Sequence, residues 1–92
     1  GPEIYVPSAF TPDNDGLNDI LRAVPVGIKD FKYFKVFNRW GQVVFSTKYP
    51  SKGWDGKFNN SIQDGNSFVW IAEGTDVNGK RIQRKGSVTI VR

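Results

Sequence analysis

Residues 30–46 read DFKYFKVFNRWGQVVFS, two aromatic and β-branched runs separated by one glycine-centred break. Within the first run Phe31, Tyr33, Lys35 and Phe37 alternate with Lys32, Phe34, Val36 and Asn38. A period of two is the signature of a strand, and apolar residues on both faces suit a strand central to a sandwich. The short span from Phe37 to Val43 predicts a hairpin whose bend is Arg39, Trp40 and Gly41.

The same reading extends in both directions. Upstream, EIYVP places Ile4 and Val6 on one face and ends at Pro7, which lacks the N–H a ladder needs. ILRAVP, residues 20–25, predicts a second strand closed by Pro25 and Gly27. Downstream, the polar segment 47–67 carries turn residues at Gly53, Asp55-Gly56, Asn59-Asn60 and Asp64-Gly65 and is expected to cross between two sheets. FVWIAEG, residues 68–74, is apolar on both faces and predicts a buried strand. Asn78-Gly79 is a hairpin signal, and GSVTIVR, residues 86–92, points Val88 and Ile90 inward and Ser87 and Thr89 outward. No window sustains a helical stripe for three turns. About seven strands in 92 residues predict an all-β fold, a seven-stranded immunoglobulin-like antiparallel β-sandwich.

Composition narrows the chemistry. The chain of 92 residues is one domain in size and holds neither cysteine nor histidine, which removes disulfides, thiolate zinc sites and the usual general base. An enzyme is therefore not expected. A chain of this length buries only about 60–65% of the surface that it exposes when unfolded. Seven Phe, three Tyr and three Trp must supply most of its core. No apolar run approaches the roughly 20 residues needed to cross a bilayer, so no membrane insertion of its own is expected. Gly1-Pro2 resembles the remnant of a cleaved tag, leaving residues 3–92 as a single domain.

Four segments carry candidate interactions. Thr11, Asp13, Asp15, Gly16, Leu17 and Asp19 match positions 1, 3, 5, 6, 7 and 9 of an EF-hand-type loop, so Asp13, Asp15, Asp19 and the Leu17 carbonyl form a candidate Ca²⁺ site. Position 1 is a neutral threonine, however, and position 12 falls on Arg22. The other reading is a metal-free turn in which the carboxylates accept backbone N–H bonds. Arg39 and Trp40 are either a recognition knob or a guanidinium stacked on an indole at a corner. Trp54-Asp55-Gly56 is either a sugar platform or the cap of a core. Lys80, Arg81, Arg84, Lys85 and Arg92 place five bases and no acid in the last thirteen residues. Were that strand a sheet edge, Arg84, Lys85, Ser87, Thr89 and Arg92 would form a partner-binding strip for an acidic surface.

AFTPDNDGLND, FKVFNRWGQVVF, GWDGK, the DGNSFVW strand and the final GSVTIVR occur in an order and spacing that resemble the gliding-motility-associated C-terminal domain. That family is also called the type B sorting domain of the type IX secretion system. The resemblance covers residues 4–92 and implies a C-terminal sorting signal. Its bearer would be a large cell-surface or secreted protein of the motility-adhesin type. The resemblance further implies transit through the periplasm and outer-membrane or periplasmic translocon components as partners; the domain itself is expected to be a monomer. One departure stands out: the family's Pro-x-Gly-x-Tyr-x-Trp is here Gln63-Asp64-Gly65-Asn66-Ser67-Phe68-Val69-Trp70, without the proline and one residue longer. The alternative function is a carbohydrate- or peptide-binding β-sandwich built on Trp40, Trp54 and Trp70. Nucleic-acid binding, suggested by a pI near 9.6, is not expected.

Overall fold

A computed structural model describes residues 1–63, 65 and 67–92. Asp64 and Asn66, on which the Asp64-Gly65 turn and the altered family pattern depend, lie outside the described residues. Nine strands occur among the described residues: β1 (Glu3–Tyr5), β2 (Ala9–Phe10), β3 (Val24–Val26), β4 (Asp30–Phe37), β5 (Val43–Thr47), β6 (Lys57–Phe58), β7 (Ser61–Ile62), β8 (Ser67–Thr75) and β9 (Arg81–Ile90). Among the described residues no helix is long and apolar enough to cross a membrane.

The all-β class holds, but the seven-stranded immunoglobulin-like sandwich does not describe the architecture. One five-stranded sheet, ordered β2-β9-β8-β4-β5, dominates, and the pairs β1-β3 and β6-β7 are separate two-stranded pieces. All pairs are antiparallel except β2 with β9. The missing second sheet is replaced by short segments, because 47–67 and 11–23 contain too many turn residues to sustain long ladders. ILRAVP contributes only its end to β3, where Pro25 faces Ile4. Leu21 instead makes an isolated bridge to Trp54, with both N–H to O distances at 2.9 Å. That bridge needs Gly53, since a Cβ there would lie 2.6 Å from the Leu21 carbonyl oxygen.

The short segments cover one face of the large sheet. Phe34, Val36, Phe68, Trp70, Ala72, Val88 and Ile90 project from that face and pack with Ile4, Phe10, Leu21, Ala23 and Trp54. Trp54 lies between Phe10 and Phe68, with ring centroids at 5.6 and 4.8 Å, and its indole N–H donates to the Lys57 carbonyl at 2.8 Å. A buried aromatic cluster whose polar handle is satisfied is the stabilising unit a cysteine-free domain of this size requires.

The opposite face stays open. Val69 keeps 49% of its surface and Ile71 is only half-buried, so the two-sided apolarity of β8 does not mean burial on both sides. β4 departs from simple alternation as well. A register shift between Phe31 and Tyr33 sets Phe31 opposite Gly74 and against the core, while Tyr33 faces Glu73 on the open side. Lys32 is the extra residue, and a bulge reverses the side-chain alternation on either side of it.

Candidate functional site

The acidic loop folds around Asp19. Its Oδ1 accepts the N–H groups of Asp13 at 3.1 Å and Asn14 at 2.9 Å, and its Oδ2 accepts that of Gly16 at 2.7 Å. Asp13 and Asp15 each accept the N–H two residues on, at 3.2 and 2.8 Å. Asn14 and Gly16 adopt φ of 62° and 83°, conformations that asparagine and glycine tolerate best. The sequence spacing does bring Asp13, Asp15 and Asp19 together, with one carboxylate oxygen from each within 4.8 Å of the others. Leu17 is exposed and donates its N–H to Asp15.

Electrostatics divide the three acids. Desolvation raises the Asp19 carboxyl, but the three N–H bonds from Gly16, Asn14 and Asp13 outweigh it and hold the group below its ordinary value. For Asp13 the Asp15 N–H lowers the value, while desolvation and the neighbouring Asp15 and Asp19 carboxyls raise it further, leaving it above the ordinary value. Every carboxylate in the loop has a backbone partner, the pattern of side-chain-capped turns. Three converging acids with one held reluctantly ionised are also what a cation would relieve.

The basic strip at the end of the chain separates into two groups. β9 is not a free edge at its C-terminal end, since the Thr89 and Val91 N–H groups donate to Ser8 and Phe10, both at 2.9 Å. Arg84 projects toward β1 and pairs with Glu3. Glu3 lies below its ordinary value, first through the Ile4 N–H and then through Arg84. Arg92 reaches back to the segment ahead of β8, donating to the Gly65 and Gln63 carbonyls at 3.1 and 3.0 Å. By contrast Lys85, Ser87 and Thr89 point outward and are exposed.

Arg39 and Trp40 occupy the β4–β5 turn, where the guanidinium stacks on the indole. The guanidinium lies 4.4 Å from the Trp40 ring centroid, and Trp40 keeps 70% of its surface exposed. A groove of about 160 Å³ runs beside it, lined by Asn38, Trp40, Gly65, Ser67 and Val69 among others. Trp54 and Trp70 are only 1% and 7% exposed, so no platform of three indoles forms.

A residue set that the sequence did not single out lies on the open face. Phe37 faces both Val43 and Val69 across its neighbours, and Lys35 faces Ser46 and Ile71. In the next rung Tyr33, Glu73 and Gln83 form a hydrogen-bonded group, closed by Arg81 bonded to Glu73 at 2.8 Å. Arg81 first, then Tyr33 and Gln83, keep Glu73 below its ordinary value despite desolvation. The alternation of β8 was the available signal, but nothing in it says which side is covered.

Comparison with protein-family models decides the class of the domain. Residues 4–90 match the CHU_C type IX secretion signal domain, a span that runs from β1 to the end of β9. The chain belongs to that family. Among curated proteins none matches the chain. The membership agrees with the resemblance drawn from AFTPDNDGLND, FKVFNRWGQVVF and GWDGK. It means that the domain is a signal recognised by the type IX secretion system, and that a protein bearing it is exported to the cell surface or beyond. The family is one of secretion signals and not a class of enzymes.

Proposed function

We propose that this domain is the C-terminal address of a large surface or secreted protein of the motility-adhesin type. It folds in the periplasm, docks there on components of the type IX outer-membrane translocon, and performs no catalysis. The observation that carries the reading is the family match over residues 4–90, which runs from within β1 to the end of β9 rather than over an isolated motif. Composition supports it: with no histidine or cysteine in 92 residues, the chain offers little from which to build a catalytic centre.

Fusion tests it. The 92-residue chain joined to the C-terminus of a periplasmic reporter, in a host carrying the type IX system, should bring the reporter outside the cell. Loss of a core translocon component should hold it in the periplasm. Retention of the reporter in the intact host would refute the proposal.

A further inference from the structure

We propose that the open face of the five-stranded sheet, together with the Arg39–Trp40 corner, is the surface through which this domain docks on an acidic protein partner. The proposal rests on the secretion reading above and specifies the contact it requires.

Register builds the surface. Residues facing each other across antiparallel strands share a side of the sheet. Val43, Phe37, Val69 and Ser87 therefore form one rung of the open face, and Ser46, Lys35, Ile71 and Lys85 form the next. Val43 and Val69 keep 40% and 49% of their surface exposed, beside the projecting indole of Trp40. A small domain that must bury every apolar group it can has left these uncovered, and an apolar stripe rimmed by polar residues marks an interaction site. The groove between Trp40 and Val69, at about 160 Å³, is well under the roughly 300 Å³ of small-molecule pockets and suits one apolar side chain of a partner.

The turn itself does not explain Trp40. Asp76–Lys80 makes the same hydrogen bonds and the same glycine conformation with Val77 and Asn78 at the equivalent positions. An exposed indole carrying a stacked guanidinium is thus an addition to the turn. Tryptophan and arginine are also the residue types that dominate binding energy at interfaces.

Charge selects the occupant. Lys35, Lys85, Arg39 and Arg81 surround the stripe. The acids on these rungs among the described residues are Glu73, facing Tyr33, and Asp30, which shares the rung of Arg81 at the end of the sheet away from Trp40. Glu73 is already engaged, its Oε1 accepting from Arg81, Tyr33 and Gln83. Neither Lys35 nor Lys85 has a carboxylate partner among the described residues. The complement of this surface is an apolar side chain flanked by carboxylates on a folded protein. Strand addition to β9 is less favoured, because Ser8 and Phe10 hold the N–H groups of Thr89 and Val91 and the Arg84–Glu3 pair crosses the same edge.

The reporter fusion decides it, with each variant's melting temperature measured beside its export. Trp40→Ala and the double variant Lys35→Glu/Lys85→Glu should each melt near the parent and lower export by about tenfold or more, the scale of a lost interface anchor. Two controls should stay within about twofold of the parent: Val77→Ala at the other turn, and Lys52→Glu/Lys57→Glu on the covered side. Export of both test variants at the parental level overturns the docking face, as does an equal loss in the controls. A parent that sediments as a dimer, and as a monomer once Trp40 is alanine, shows instead that the face binds a second copy. Failure of the parent itself to leave the cell overturns the secretion reading, a result distinct from all of these.

Discussion

The turn at Asn38–Gln42 and the turn at Asp76–Lys80 lie at opposite ends of the five-stranded sheet, since β4 and β8 run antiparallel. In each, the first residue's N–H donates to the fifth residue's carbonyl at 2.9 Å, and a glycine donates back to the first carbonyl at 3.0 Å. The Asn38 side-chain oxygen accepts from the N–H groups of Trp40 and Gln42 at 3.0 and 2.9 Å. Asp76 accepts from Asn78 and Lys80 at 2.9 and 2.8 Å. Gly41 and Gly79 have φ of 80° and 79°. This is the three-residue hairpin loop that ends in a left-handed glycine. The pair separates what a turn requires from what it merely carries. A buried amide or carboxylate and a glycine are required, whereas Arg39-Trp40 and Val77-Asn78 are carried.

Removing the required acceptors should have the largest effect. Asp76→Ala leaves two N–H groups unpaired beside a nearly buried position, and a bond to a charged acceptor contributes about 1.5–3 kcal/mol. A loss of about 3 kcal/mol is expected in urea unfolding. Asn38→Ala should cost about 2 kcal/mol, because its two accepted bonds are to a neutral oxygen, even though its amide also donates to Gln42. Equal losses would break the claim that acceptor charge distinguishes the two ends.

The glycines come next. A Cβ at either Gly41 or Gly79 would meet nothing within 4 Å, so only the left-handed backbone resists substitution. Gly41→Ala and Gly79→Ala should therefore each cost about 1 kcal/mol, and by the same amount within error. A clear difference between them would show that the two loops are not the same turn.

A third turn tests whether side-chain caps generalise beyond hairpins. Asp19 gathers three N–H groups, and its carboxyl is held below its ordinary value. A depressed carboxyl stabilises the fold above its unfolded pKa, and that contribution disappears as pH falls through the folded value, here below about pH 4. Asp13 is shifted the opposite way, so its ionisation opposes folding near neutrality. Asp19→Ala should lower the melting temperature at pH 7, a penalty that shrinks as the pH is taken below about 4, and Asp13→Asn should raise it slightly. Should millimolar Ca²⁺ raise the melting temperature of the parent but not of Asp13→Asn, the loop is a cation site and not only a turn.

The sequence revealed these features unevenly, for physical reasons. Strand cores were legible because Phe34, Val36, Phe68, Val88 and Ile90 alternate with their neighbours, and the turns because glycine and Asn or Asp sit where left-handed backbone or a cap is needed. The parallel pairing of β2 with β9 was not, since a two-residue strand has no period. Neither was the Lys32 bulge, because an extra residue is defined only against a partner strand, and without it Phe31 falls on the wrong face. The open face escaped notice for a third reason. Alternation shows that β4 and β8 have two apolar sides, but which side is covered depends on Leu21 and Trp54, far away in sequence. In the acidic loop the spacing predicted convergence of the acids, while the fate of their lone pairs depended on backbone angles.

The smallest effect on stability should accompany the exchange of what the turns carry. Replacing Arg39 and Trp40 with valine and asparagine gives the first turn the bend of the second, keeping Asn38, Gly41 and every hydrogen bond of the loop. The guanidinium–indole contact at 4.4 Å is lost, and at so exposed a site it is worth about 0.5 kcal/mol. Trp40 buries too little surface to add much more. Unfolding should thus shift by about 0.5 kcal/mol, a fraction of what Asn38→Ala costs at the same corner. A loss of 2 kcal/mol or more would mean that the indole holds the corner together, and the distinction between required and carried residues would fail there. A neutral exchange leaves the indole and guanidinium without a structural task, and a contact made outside the molecule becomes the remaining physical account of them.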